Sequence, residues 1–336
     1  MVEWNPGRLL ELSGGYWASC TLHAAVKLDL FSLIEAGHTT SSQLAHELGL
    51  NARGTATLLN ALVAMDLLTK DQAQYANTEA ARSFLVRGSP EYIGYMILHH
   101  HHLVRAWSRL DQAVRSGKPV RERVASEHEE RESFLMGMFN NAMAIAPRLA
   151  DEIDVKGRRR LLDLGGGPGT YAIHFCLTNP GLEARVADLP ASRPFAEKTI
   201  ARFGVSDRVQ FIPCDYLHED IQGQYDVAWL SHILHGEGPD ACRMIINKAV
   251  SSLEPGGMMM IHDFILKDTA DGPLFPALFS LNMLVNTMEG RSYTESQIRD
   301  MMRQAGLKNI TRFPFRGPTD SGILMGERYP STTSSR

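Results

Sequence analysis

Between residues 160 and 262 short, mostly apolar runs alternate with longer mixed segments. The runs are 161–164, 184–187, 209–212, 227–230 and 258–261. Short, mostly apolar runs of this length, three of them interrupted by Asp163, Arg185 or Gln210, read as strands of a largely buried sheet. Helical stretches separate the first two pairs and the last. The alternation predicts a mostly parallel sheet with helices on both faces, an α/β fold.

The first run leads into Leu162-Asp163-Leu164-Gly165-Gly166-Gly167-Pro168-Gly169-Thr170, and a helix is expected over 171–177. Glycines let a backbone pass close beneath a ligand, and a helix N-terminus offers unpaired N–H groups. Asp188 lies as far downstream as the ribose carboxylate of a dinucleotide fold, so that spacing alone decides nothing. Two features do. The spacing is GxGxG, from Gly165 through Gly167 to Gly169, without the GxGxxG geometry that seats a pyrophosphate. Asp163, two positions before Gly165, would repel a phosphate but suits a cationic amino-acid moiety. S-adenosylmethionine (SAM), with an ammonium, a sulfonium and no phosphate, fits better. Asp188, with Leu189 beside it, can take the ribose hydroxyls. Asp215 can accept from the adenine amine while Tyr216 packs on the ring. A lone aspartate at such a place is often a turn residue. Three at successive strand ends point to a ligand, because an open α/β sheet binds at those ends.

Residues 1–155 read as helical apart from one hairpin. The stretch 9–34 is apolar at helical spacing. Thr40 and Gln43 form a capping box, Gly49 ends that helix and Asn51 caps the next. Residues 67–76 form strand, turn and strand, and the whole reads as a winged helix. Helices are expected over 89–117 and 131–153, with a charged linker at 118–130. The expected domains are 1–155, mainly helical with the winged helix, and 156–329, the nucleotide-binding domain. The tail 330–336 has nothing to pack and is expected to be disordered.

A winged helix raises the possibility of a DNA-binding regulator. Residues 13–85 carry four basic and six acidic residues, and between Asn51 and Met65 the only basic residue is Arg53. Such a surface repels phosphate. The net charge of −4 gives no further reason to expect nucleic acid. His99–His102 on a helix face four directions, so only His99 and His102 share a side, too few for zinc. No metal is expected. The cysteines Cys20, Cys176, Cys214 and Cys242 are widely spaced, and no run reaches the ~20 apolar residues of a membrane span. A cytoplasmic protein is the expectation.

The blocks DLGGGPG, ADLP, CDYL, SHILHGEGPD and LEPGGMMMIHDFIL resemble the caffeic acid and acetylserotonin O-methyltransferase family, across about residues 12–326. The resemblance implies a Rossmann-like seven-stranded class I methyltransferase sheet, SAM as methyl donor with S-adenosylhomocysteine as product, and a homodimer built through the N-terminal winged-helix domain. The resemblance also implies that the N-terminal domain roofs the acceptor pocket, whose apolar slot suggests a flat hydroxylated aromatic or polyketide-like small molecule.

Methyl transfer is an in-line displacement at a sulfonium methyl. The enzyme must position the acceptor and remove its proton. Ser231-His232-Ile233-Leu234-His235-Gly236 follows the fourth strand, at the expected cofactor edge. A histidine is suited to take a phenolic proton near neutral pH. The resemblance implies that His235 is the general base and Asp263 the acid that orients it. His232, one turn earlier, reads as a packing or hydrogen-bonding residue. Three positions depart from the family: Gly236 replaces an Asp, Ser292 replaces a second orienting acid, and Ser231 occupies the place of a cofactor-contacting Lys. For the acceptor pocket the candidates are Trp107, Met136, Phe139, Asn140, Met143, Phe279 and Met283. The departures leave room for C- or N-methylation, or for decarboxylation, hydroxylation or cyclisation on the same fold and cofactor.

Overall fold

The computed structural model describes residues 3–121 and 127–329, so the tail at 330–336 and part of the charged linker lie outside it. The described residues divide into two compact units, one of 3–104 with 127–140 and one of 105–121 with 141–329.

The first unit opens with α1 (Pro6–Gly14), α2 (Tyr16–Lys27), α3 (Leu30–Glu35), α4 (Ser41–Glu47) and α5 (Ala52–Ala64). The hairpin β1 (Leu68–Asp71) and β2 (Gln74–Asn77) follows, then α6 (Glu79–Leu85). The Thr40 capping box is present, and Asn51 accepts the Gly54 N–H at 3.0 Å. The stretch 9–34 is three helices rather than one. The chain turns at Gly15 and again at Asp29, whose φ is 54° and whose carboxylate accepts from Ser32 Oγ. A core of Ala25, Leu30, Phe31, Leu44, Leu59 and Leu62 closes the unit.

Next come α7 (Gly94–Trp107), α8 (Leu110–Ser116), α9 (Glu127–Met143) and α10 (Ala146–Glu152). The expected helices 89–117 and 131–153 are therefore each broken once. Pro147, near the start of α10, has no N–H and cannot continue α9. Leu149, Ala150 and Ile153 pack into the core of the second unit, so the compact units do not part at a single point near residue 155.

The second unit carries β3 (Arg160–Leu164), α11 (Thr170–Thr178), β4 (Glu183–Asp188), α12 (Arg193–Arg202), β5 (Val209–Pro213), β6 (Tyr225–Ser231), α13 (Pro239–Ser251) and β7 (Leu253–Phe264). It ends with α14 (Leu274–Asn286), α15 (Glu295–Gln304), β8 (Leu307–Phe313) and β9 (Ser321–Arg328). The Thr294 capping box opens α15. The seven-stranded sheet has the order β5-β4-β3-β6-β7-β9-β8, parallel except for β9, which runs antiparallel to both neighbours. Two apolar cores lie on its two faces, one around Trp229, Phe175 and Met260 and one around Leu164, Leu230 and Ile245. The chain begins at β3, builds outward to β5, then returns to lay β6 on the other side of β3. That reversal opens a crevice at the carboxyl ends of β3 and β6.

Candidate active site

Every polar residue singled out in the strand-end motifs lies at that carboxyl edge or just beyond it. Gly165 follows β3 with φ 67°, and a Cβ there would stand 2.4 Å from Ile233 Cγ2, so only glycine fits. The Gly167 N–H donates to Asp188 Oδ2 at 2.7 Å, tying the loop to the end of β4. Asp188 Oδ1 accepts from the Leu189 N–H and from Ser192 Oγ. Burial raises the Asp188 pKa against those donors. The Leu189 side chain, 47% exposed, stands open for an apolar ring to cover.

Asp163 sits beneath the loop. Its Oδ2 accepts the Ala172 N–H at 3.3 Å from the first turn of α11, while Oδ1 is buried with no partner. Burial pushes this carboxyl up to about 7. Asp215, beyond β5, accepts from the Leu217 N–H and pairs with His218 Nδ1 at 3.0 Å, a contact that lowers its pKa. Tyr216 is half-buried beside it, packed against the core. An orphaned buried acceptor, a loop that excludes a Cβ and an uncovered Leu189 fit a cationic ligand of the SAM kind.

The second cluster is built by the ends of β6 and β7. The β6–β7 register sets Ser231 opposite His262, one residue before Asp263. His235, in a short 3-10 turn after β6, donates from Nδ1 to Asp263 Oδ1 at 2.7 Å, and its backbone N–H reaches Oδ2 at 3.3 Å. Burial alone would raise the Asp263 carboxyl. The adjacent His235 and His232 rings overcome that and hold it far below the ordinary carboxylate range. An ionised carboxylate accepts only, so Nδ1 of His235 carries a hydrogen toward it, and in the neutral ring the lone pair lies on Nε2. Phe264 stacks on the His235 ring at 5.6 Å, and Phe279 of α14 meets it edge-on at 4.7 Å.

The structure brings some expected residues together and separates others. Ser231 Oγ pairs with His262 Nδ1 at 3.0 Å, and His262 Nε2 pairs with Ser321 Oγ. Burial holds His262 neutral. Ser292, 4% exposed, donates to the Pro276 carbonyl and straps α14 rather than facing His235. Trp107 donates to Asn282 Oδ1 on α14 at 2.9 Å, and Met283 is the next residue along. Met143 lies against His174, 3.3 Å from its Nε2. Met136, Phe139 and Asn140 belong to the first unit, where the Asn140 amide donates to the Tyr92 carbonyl. Sequence reading missed Phe264 and Phe275, which with Phe279 make an aromatic wall beside His235. The available signal was Phe264 following Asp263 directly on a strand that ends at the crevice.

Comparison with known proteins identifies the family. Residues 107–308 match an O-methyltransferase domain, and residues 10–87 match an O-methyltransferase dimerisation domain. The chain is 33% identical to the 3-hydroxy-5-methyl-1-naphthoate 3-O-methyltransferase of Streptomyces sahachiroi, over 96% of this chain and 95% of that one. It is 31% identical to the tetracenomycin polyketide synthesis 8-O-methyl transferase TcmO of Streptomyces glaucescens, over 95% and 96%. Among solved structures, human N-acetylserotonin methyltransferase in complex with SAM superposes with a TM-score of 0.85 at 25% identity, covering 98% of this chain and 99% of that one.

Proposed function

Since this chain belongs to the SAM-dependent O-methyltransferase family, we propose that it methylates a phenolic oxygen of a fused-ring, polyketide-like acceptor, with His235 as general base. The single observation that carries the base assignment is the 2.7 Å His235–Asp263 hydrogen bond at the carboxyl edge of the sheet. SAM, when bound, supplies an electrophilic methyl on a sulfonium. The residues of the chain do the rest. Asp163, Gly165, Gly167, Asp188, Leu189, Asp215 and Tyr216 form the donor's cradle, with Ser231 at its edge. His235 Nε2 receives the acceptor's proton, and the ionised Asp263 stabilises the imidazolium that results. Phe279 and Met283, with Trp107 fixing α14, form the aromatic slot.

The naphthoate and tetracenomycin specificities of the two relatives support a flat hydroxylated acceptor here. The dimerisation-domain match, together with exposed Leu9, Leu10, Leu12, Tyr16 and Trp17 on α1 and α2, supports a homodimer built through the N-terminal helices. Among the described residues no helix is long and apolar enough to cross a membrane. The four unpaired cysteines favour a reducing, cytoplasmic setting.

The test is incubation with methyl-labelled SAM and a panel of hydroxylated naphthalenes and anthraquinones. Label on a phenolic oxygen is expected. Label on carbon or nitrogen, or acceptor turnover without label, would replace this reading with one of the other chemistries the fold supports.

A further inference from the structure

β6 ends at Ser231, and His232 leaves the strand with φ 57°. A residue with a Cβ enters that conformation at a cost, which glycine or asparagine would lessen. Backbone strain of this kind persists where the surroundings hold it, and it gathers at functional sites. Here the His232 N–H donates to the His262 carbonyl at 2.8 Å. Its ring packs on His262 and Phe264 with centroids 4.4 and 4.3 Å away.

The strained turn aims Nδ1 of His232 at Asp263 Oδ1, 3.6 Å away, the same oxygen that takes the His235 hydrogen bond. That nitrogen is buried and has no hydrogen-bond partner. The carboxylate accepts only, so the ring nitrogen facing it carries the hydrogen and Nε2 carries the lone pair. The side chain is 23% exposed while Nδ1 is buried, which leaves the opposite edge of the ring open. Burial outweighs the pull of Asp263 and lowers the His232 pKa, so this ring stays neutral. Two imidazoles that turn Nδ1 toward one carboxylate therefore point two Nε2 atoms away from it, with ring centroids 5.8 Å apart. Rings so close can each meet one of two neighbouring hydroxyls of a single acceptor at an ordinary hydrogen-bond length of about 2.8 Å.

We infer that His232 is a second acceptor-binding residue, and that the site selects aromatics bearing two hydroxyls on adjacent or peri carbons. One hydroxyl is held at His232 while His235 takes the proton of the other. This inference rests on the O-methyltransferase reading, and it narrows the acceptor class. The same three side chains could also gather round a divalent metal. The 2.7 Å His235–Asp263 bond argues for hydroxyl ligands, because a metal on Nδ1 would have to displace the proton that bond uses.

Binding, rather than turnover, separates the two readings. The complex with S-adenosylhomocysteine is titrated calorimetrically with 1,8- and 2,3-dihydroxynaphthalene and with 1- and 2-naphthol. The wild type should bind the better diol at least about tenfold tighter than either naphthol, the cost of leaving one polar partner unmet. In His232→Gly, which takes the positive φ freely, the preference should fall to about one. In His232→Asn, which tolerates the backbone and keeps a shorter polar group, it should be intermediate, and this variant keeps the comparison valid if the glycine loosens the turn. Equal wild-type affinities, or a preference that survives in His232→Gly, would overturn the inference. Diol binding abolished by a chelator and restored by zinc would overturn it in favour of a metal site. Methyl transfer to naphthol with no diol preference removes this inference and leaves the O-methyltransferase reading. Diol preference without transfer does the reverse.

Discussion

Asp163 sits in an environment that conflicts with its charge. Burial moves it from 3.8 to about 7, so the folded state holds its proton more tightly than the unfolded chain. Its contribution to stability is fully present below about 4 and is lost as pH rises through about 7. A cationic ligand reverses the preference by favouring the carboxylate. SAM affinity should therefore rise with pH up to about 7 and level off above it, with proton release on binding below that point. Asp163→Asn should raise the Tm of the ligand-free protein at pH 8 by roughly 2–4 °C and weaken SAM binding tenfold or more, on the order of a charged hydrogen bond. Thermal unfolding and calorimetry across pH 5.5–8.5 check both, and two effects of the same sign would refute the assignment. Asp188→Ala should weaken SAM binding by roughly 1–3 kcal/mol, because it removes a ribose acceptor and also unties Gly167. Calorimetry showing unaltered affinity would take Asp188 out of the site.

The loop between β3 and α11 is the element on which the donor site depends. A Cβ on Gly166 would lie 2.6 Å from Asp163 Cγ and within 2.9 Å of both its carboxylate oxygens. Gly166→Ala should lower SAM affinity at least about tenfold, by lifting the loop or turning the carboxylate; native affinity in that variant would mean the loop is not the cradle. This loop and the five strands β3–β7 were legible because short, mostly apolar runs and a glycine cluster are local signals. The strands β8 and β9 were not. β8 shows a mostly exposed edge whose register slips between Lys308 and Thr311, so its residues alternate poorly. Breaks at Asp29 and before α10 were hidden because side-chain capture of a turn and the onset of a new helix leave the apolar period intact. In the site, His235, Asp263 and the three strand-end aspartates could be named from sequence. The polar chain Ser231–His262–Ser321 could not, since it joins residues up to 90 positions apart through strand register alone.

At the scale of the molecule, α1 buries none of its side chains within the chain, while Leu10 is 73% and Trp17 69% exposed. Apolar surface of that extent calls for a partner. Light scattering at micromolar concentration should give a dimer, with an interface above ~2,000 Å² in total, and Leu10→Asp with Trp17→Asp should shift it to monomer. A monomeric wild type would remove the dimer from the account. Methyl transfer to oxygen with His235 as base is read out in a single variant. In His235→Ala, single-turnover methyl transfer to an accepted phenol should slow by about 10²–10⁴-fold while S-adenosylhomocysteine affinity stays within about twofold. Asp263→Asn should cost less, since it disturbs only ring orientation and charge support. A His235→Ala enzyme that keeps the wild-type transfer rate and pH profile would contradict the account.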